Sequence, residues 1–229
     1  MTTVWITRAE PGASATAGRV RDLGFEPIVA PLIETRPLAA SLDLAGVAVL
    51  AFTSAAGVGA FAALSPIRSL PAYAVGESTA QAARRADFAD VASADGDVAA
   101  LAGLIIAERG MIRGAVLHAG AASPAGELVA DLARAGVPAK FIAVYETVPT
   151  AAPRQVLDRI DSLGAVLIHS PSAGRRLAEV LAGATAPKLS AYCLSAAAGA
   201  PLEGLAIGQI VTAALPNEDA LLSLLADHR

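Results

Sequence analysis

The side chains best suited to chemistry gather in three short runs. In VLAFTSAAGV, Val49 to Val58, an apolar stretch breaks into Thr53 and Ser54, with Gly57 three residues further on. VLIHSPSAG, Val166 to Gly174, repeats the pattern with Ser170 and Ser172, and AVGESTA sets Gly76 ahead of Ser78 and Thr79. Small hydroxyl residues and a glycine between a buried strand and a helix bring several backbone N–H groups, and the positive end of the helix dipole, to one point. That arrangement holds an anion with neither metal nor cofactor. Each hydroxyl serves equally well as a plain N-cap, worth about 1 kcal/mol in stability and nothing in function, but recurrence in both halves of the chain favours binding. Arg8 ends the first apolar run, where parallel α/β sheets present side chains to a ligand crevice. It either meets a carboxylate of the ligand or ties its loop to Glu10.

Other chemistries find less support. His118 and His169 close apolar runs with no Cys or carboxylate at ligand spacing, so no metal site is expected. Gly57 to Ala62 fits G-x-G-x-x-A, yet four residues, Thr53 to Ala56, separate it from its strand, and a dinucleotide loop follows its strand at once. The single cysteine, Cys193 in LSAYCLS, makes no intramolecular disulfide and reads as a buried strand position. A formal net charge of −4, an aromatic content of 4% and the lack of a basic tract argue against a nucleic-acid surface. Mean hydropathy is +0.55, but no apolar run approaches the roughly 18 residues of a membrane span. The opening MTTVWITRAEPG lacks an export pattern. These features describe a soluble, cytoplasmic protein without a membrane partner.

The elements that must position these residues alternate strand and helix. VWIT, PIVAPLIET, VAVLAFTS, AYAV, AVLHAG, AKFIAVYET, AVLI and SAYC read as strands, and their unbroken apolar character indicates parallel sheets covered on both faces. RPLAASLDLAG reads as a turn and a short helical approach, Ser78 or Thr79 as the cap of the helix after AYAV, and Asp97 as the cap of VAALAGLIIAERG. A repeat divides the chain. A shift of 112 residues maps Gly24, Glu34 and Thr35 onto Gly136, Glu146 and Thr147; a shift of 117 maps Thr53 onto Ser170 and Gly57 onto Gly174. Proline-containing changes of direction at Arg36-Pro37 and Val148-Pro149 mark where the chain crosses. Residues 1–35 plus 150–229 then form a discontinuous first lobe and 36–149 a second, with an active-site cleft between them.

Taken in order, ITR at Ile6 to Arg8, Pro31 in APLIE, AFTSAAGV from Ala51, AVGESTA from Ala74, VYET from Val144 and HSPSAG from His169 resemble the uroporphyrinogen-III synthase family over nearly the whole chain. The resemblance implies an α/β fold of two similar lobes, each a parallel sheet flanked by helices in the flavodoxin-like manner, joined by a two-stranded hinge. It implies a cofactor-free, monomeric enzyme that cyclises hydroxymethylbilane, with loss of water and inversion of one ring, in haem biosynthesis. That substrate is a flexible tetrapyrrole bearing eight carboxylates, a fit for Arg8, Thr53, Ser54, Gly57, Gly76, Ser78, Thr79, Ser170 and Ser172 as substrate-binding residues. Tyr145 matches the family's cleft tyrosine and is the candidate catalytic acid. The instability of that substrate favours a transient contact with the enzyme that supplies it, although no segment of the chain argues for one. Two departures stand out: Ala119 replaces an expected arginine, and Ser195 to Ala198 replace a second Gly-x-x-Thr turn, so no ligand contact is carried over to Ala119 or Ala198. The central lobe is therefore expected to keep the better anion-binding turns. On physical grounds alone, a non-catalytic bilobal binder of a small polyanion is the alternative.

Overall fold

A computed structural model describes residues 2–124 and 126–227. The chain divides into two compact units, one of residues 1–35 with 147–229 and one of residues 36–146. In the first, β1 (Thr3–Ile6), α1 (Gly12–Asp22) and β2 (Glu26–Val29) lead to β3 (Ile33–Pro37), along which the chain passes to the second unit. There it forms β4 (Val47–Phe52), α2 (Ala55–Leu64), β5 (Ala72–Ala74), α3 (Glu77–Arg85), β6 (Val91–Ser93), α4 (Val98–Ala107), β7 (Ala115–Ala121) and α5 (Leu128–Arg134). It returns along β8 (Ala139–Pro149) to α6 (Arg154–Leu157), β9 (Ala165–Ile168), α7 (Pro171–Val180), β10 (Thr185–Ala186), β11 (Ser190–Cys193), α8 (Ala196–Gly199), β12 (Ala206–Ile207), β13 (Ile210–Thr212) and α9 (Glu218–Asp227).

The first unit's sheet runs β13-β11-β9-β1-β2 and the second's β3-β8-β7-β4-β5-β6. The strand pairs within β13 to β2 and within β8 to β6 are parallel. Along β9, Ala165 and Leu167 pack with Val4, Ile6, Val20 and Leu221, while Val166 and Ile168 pack with Trp5, Leu177 and Leu181. Along β4, Leu50 and Phe52 meet Phe61 and Phe88, whereas Val49 and Ala51 meet Leu101, Ile105 and Leu132. Burial on both faces explains why these strands carry no polar alternation.

Order along each sheet identifies one feature that governs the sites. In the first unit successive strands run from β1 to β2 on one side and to β9, β11 and β13 on the other, so the direction reverses between β1 and β9. In the second the reversal lies between β4 and β7. Such switch points splay the connecting loops apart at the carboxyl ends of the strands and leave a crevice there.

Three local readings are corrected. PIVAPLIET is two strands, β2 and β3, in different sheets. Pro31 interrupts them; it has no N–H to give a ladder, and its carbonyl accepts the Thr150 hydroxyl at 2.6 Å. The run from Leu38 to Leu44 forms no helix, being too short to repay helix nucleation between Pro37 and the turn at Asp43 to Gly46, where the Asp43 carboxylate accepts the Ala45 N–H. The cap of α3 is Gly76, not Ser78 or Thr79, which lie inside the first turn. Asp97 caps α4 as read, its side chain accepting the Ala100 N–H at 3.0 Å.

Candidate functional site

At the second unit's switch point, Thr53 and Ser54 directly follow β4. Ser54 has an extended backbone, φ −162° and ψ 153°, and its Oγ accepts the Gly57 N–H at 3.1 Å, capping α2. The same Oγ lies 2.8 Å from the Tyr145 hydroxyl on β8. Two hydroxyls in one hydrogen bond use one of their two protons, so the pair retains one proton to give, whichever member is the donor. Tyr145 is 8% exposed and its ring packs with Phe52, Leu117 and Val144. Thr53 turns the other way, its Oγ1 lying 3.2 Å from Nε2 of His118 on β7. Burial pushes His118 down to about 4, so the ring is neutral near pH 7. It leans along its own strand, edge-on to Phe141, and a Cβ at Gly120 would stand 2.8 Å from its Nε2.

Gly57 is held there by a close approach: a Cβ would stand 2.8 Å from the Ala119 carbonyl oxygen. Gly174, one residue further into α7 than Gly57 is into α2, packs likewise, its Cβ site 2.2 Å from the carbonyl oxygen of Ala198. Both glycines let a helix start sit against a neighbouring strand end or turn. Next along the second sheet, Gly76 has the extended backbone of a cap, φ −164° and ψ 171°, but no side chain, so no side-chain acceptor occupies the amides opening α3. Ser78 is exposed and Thr79 buried. Glu77, the first residue of α3, pairs with Arg84 further along the helix at 2.9 Å.

At the first unit's switch point, Thr7 donates its hydroxyl to the Leu167 carbonyl at 2.7 Å, fastening β1 to β9. Ser170 caps α7, its Oγ accepting the Ala173 N–H at 3.3 Å. Ser170 thus corresponds to Ser54, the other strand-end cap, rather than to Thr53 as the shift of 117 had it. Ser172 lies in the first turn of α7 and accepts from Arg175. Ser195 occupies the position of the absent glycine turn with nearly the same backbone as Gly76, φ −154° and ψ 162°, and caps α8 through the Ala198 N–H. Ala119 and Ala198 are both fully buried, so neither departure presents a side chain to a ligand.

Arg8 does not tie its loop to Glu10. Its Nη1 donates to Glu218 at 2.9 Å, at the start of α9, while Glu10 accepts from the backbone and hydroxyl of Ser14. His169 has a carboxylate neighbour after all: its Nε2 lies 3.0 Å from the same Glu218 oxygen. Thr16 of α1 donates to the other oxygen at 2.5 Å. Burial acts to raise Glu218, but the His169 hydrogen bond and charge, the Thr16 hydroxyl and the Arg8 charge outweigh it and hold the carboxyl well below the usual range. His169 is pushed below its ordinary value by burial, with Glu218 acting against that shift. No sequence spacing links Glu218 to His169 or Arg8; only the packing of α9 on the sheet does.

Among the described residues, no group of three or more His, Cys, Asp or Glu side chains could hold a metal ion, and no helix is long and apolar enough to cross a membrane. Cys193 is buried in β11, and burial pushes its thiol up to about 11.

The family model described as uroporphyrinogen-III synthase HemD matches residues 14–223. Among solved structures, the fold is similar to uroporphyrinogen-III synthetase from Helicobacter pylori 26695, at 18% identity over 100% of both chains with a TM-score of 0.67. It is also similar to a mutant uroporphyrinogen III synthase from the extremely thermophilic bacterium Thermus thermophilus, at 16% identity over 100% of this chain and 97% of that one, with a TM-score of 0.56. No curated protein matches the chain.

Proposed function

The chain belongs to the uroporphyrinogen-III synthase family, and we propose on that premise that it closes hydroxymethylbilane with inversion of ring D. The observation that carries this reading is the family match over residues 14–223. Loss of the terminal hydroxyl as water leaves an electrophilic azafulvene at one end of the bilane. The substituted carbon of the far ring attacks it, and the resulting spiro intermediate fragments and recloses with that ring reversed. Electron-rich pyrroles supply most of the reactivity, since the bilane also closes unaided without inversion. The protein's task is then to impose one geometry and to help hydroxide leave.

Tyr145 and Ser54 suit the second task. Their shared hydrogen bond at 2.8 Å leaves one proton for the departing hydroxyl, delivered by the phenol directly or by Ser54 with the phenol behind it. Thr53, braced by neutral His118, offers a hydroxyl beside them. For the first task, the substrate carboxylates need many donors. The side-chain-free cap at Gly76 leaves the Glu77 and Ser78 amides without a side-chain cap, while the Thr79 N–H donates to the Gly76 carbonyl at 3.0 Å, so this turn offers a helix N-terminus to a carboxylate. Gly57 contributes by permitting the close helix start rather than by contact. Ser170, Ser172 and Arg8 supply donors in the first unit. The enzyme works as a cytoplasmic monomer in transient contact with the enzyme that makes its unstable substrate. Supplying hydroxymethylbilane and separating the product isomers tests the proposal: the inverted isomer above the spontaneous rate is expected, and only the uninverted isomer at that rate would overturn it.

A further inference from the structure

Beyond the carboxyl ends of β1 and β9, Arg8, Thr16 and His169 together hold the carboxylate of Glu218. Both oxygens of Glu218 are engaged, one by Arg8 and His169 at 2.9 and 3.0 Å and the other by Thr16 at 2.5 Å. Arg8 also reaches the Thr16 hydroxyl at 3.3 Å, so the donors hold one another in place. Room for the guanidinium is made by Gly12, where a Cβ would stand 2.5 Å from Arg8 Nε. The imidazole is 6% exposed, and its Nδ1 is buried with no hydrogen-bond partner, so the carboxylate opposite Nε2 is the ring's polar anchor.

Glu218 is not needed where it stands to build its own helix. Asn217 caps α9, its side chain accepting the Ala220 N–H at 2.9 Å, and Leu221, Leu222 and Leu225 fix the helix in the apolar core. Nor is the cluster sealed, since the Arg8 and Glu218 side chains are 35% and 21% exposed. Charge-assisted bonds from a guanidinium, an imidazole and a hydroxyl to one planar anion select carboxylate by shape as well as by charge.

We propose that Arg8, Thr16 and His169 form a binding site for one carboxylate of the substrate, and that Glu218 occupies it in the free protein and is displaced when the substrate binds. The proposal rests on the reading of the substrate as a polycarboxylate tetrapyrrole. Glu218 then acts as an internal competitor that keeps the receptor assembled and its charge neutralised between turnovers.

Uroporphyrin III, the fluorescent octacarboxylate obtained by oxidising the expected product, is the probe. Titrated into the full-length protein, it should bind about tenfold more tightly to Glu218→Ala than to wild type, the worth of one charge-assisted hydrogen bond set free. Asp219→Ala makes the same change of charge one residue away, on a side chain paired with Arg19 at the surface, and should leave the affinity within about twofold, as expected for a screened exposed charge. Unchanged or weaker binding by Glu218→Ala, or an equal gain in both variants, overturns the proposal. Should Glu218→Ala fail to fold, the wild type decides: the His169 ring resonance, assigned by its loss in His169→Gln, should move on saturation with uroporphyrin III, and an unmoved resonance overturns the proposal. Isomer analysis of wild-type turnover separates the two levels. Inverted product without tightening in Glu218→Ala sinks this inference alone, whereas uninverted product alone sinks the functional reading and leaves the carboxylate site to stand on the titration.

Discussion

At the residue scale, the second unit's site pairs hydroxyls instead of a strong acid with a base. Tyr145 and Ser54 are joined by one hydrogen bond of 2.8 Å, and Tyr145→Phe removes the phenol while keeping the ring that packs on Phe52 and Leu117. The variant should fold normally yet form the inverted isomer about 100-fold more slowly, the low end of what a general acid contributes. A coupled assay that separates isomers reads this directly, and unchanged turnover would remove Tyr145 from the chemistry. His118 yields a separate prediction. Its folded value of about 4 lies below that of an unfolded histidine, so on acidification the unfolded chain takes up the proton first. Stability contributed by neutral His118 is full above about pH 6.5, the unfolded value. It is lost as pH falls toward 4, by about 3 kcal/mol in all at 1.36 kcal/mol per unit. Urea denaturation at several pH values in that window should show the slope in wild type and a shallower one in His118→Gln.

At the scale of elements, glycines divide into those that make room and one that leaves amides open. Gly57 and Gly174 sit under carbonyl oxygens of Ala119 and Ala198, with Cβ sites at 2.8 and 2.2 Å. Alanine at either should push the helix start outward and cost about 1–3 kcal/mol, as overpacking does, with the larger loss at Gly174; thermal melts compare the two. Gly76 differs, since the nearest atom to its Cβ site is 3.9 Å away and its extended backbone suits any residue. Gly76→Ser should stabilise α3 by a few tenths of a kcal/mol through a new cap. By filling the amides the substrate carboxylate would use, it should also raise KM with little change in kcat. Such a split reports a lost binding contact, whereas a purely structural turn would leave KM where it was. In sequence, Ser78 and Thr79 looked like the caps, because hydroxyl residues are the common choice; the φ and ψ of Gly76 show where the helix begins.

At the scale of the whole molecule, both units share one arrangement reached by two routes. Pairing β7 and β8 with β1 and β2, and β4, β5 and β6 with β9, β11 and β13, gives the two sheets the same spatial order, β3 lying outside it. The chain enters the second unit at the strand equivalent to β9 and so meets the equivalents of β1 and β2 last. That is why the repeat appears at shifts of 112 and 117 although the second unit is inserted into the first. It also predicts different behaviour of the pieces. Residues 36–146 enclose their own two apolar clusters and should unfold cooperatively as an isolated segment, whereas 147–229 alone lacks β1, the strand between β9 and β2, and should not fold. Circular dichroism melts of the two segments test this.

What the sequence determined by itself follows from local physics. Apolar strands without alternation dictated parallel sheets buried on both faces, and hydroxyl–glycine runs after them marked the strand ends at Thr53, Ser54 and Ser170. Repeated order at a nearly constant shift revealed the duplication. Tertiary structure alone decided which side chains meet. Ser54 and Tyr145, Thr53 and His118, and above all Arg8, Thr16, His169 and Glu218 are brought together by parallel strand order and by the docking of α9 through its leucines. A hydrogen bond between residues tens to hundreds apart leaves no periodic trace in a chain, because its geometry is set by how distant elements pack and not by what stands next to either partner.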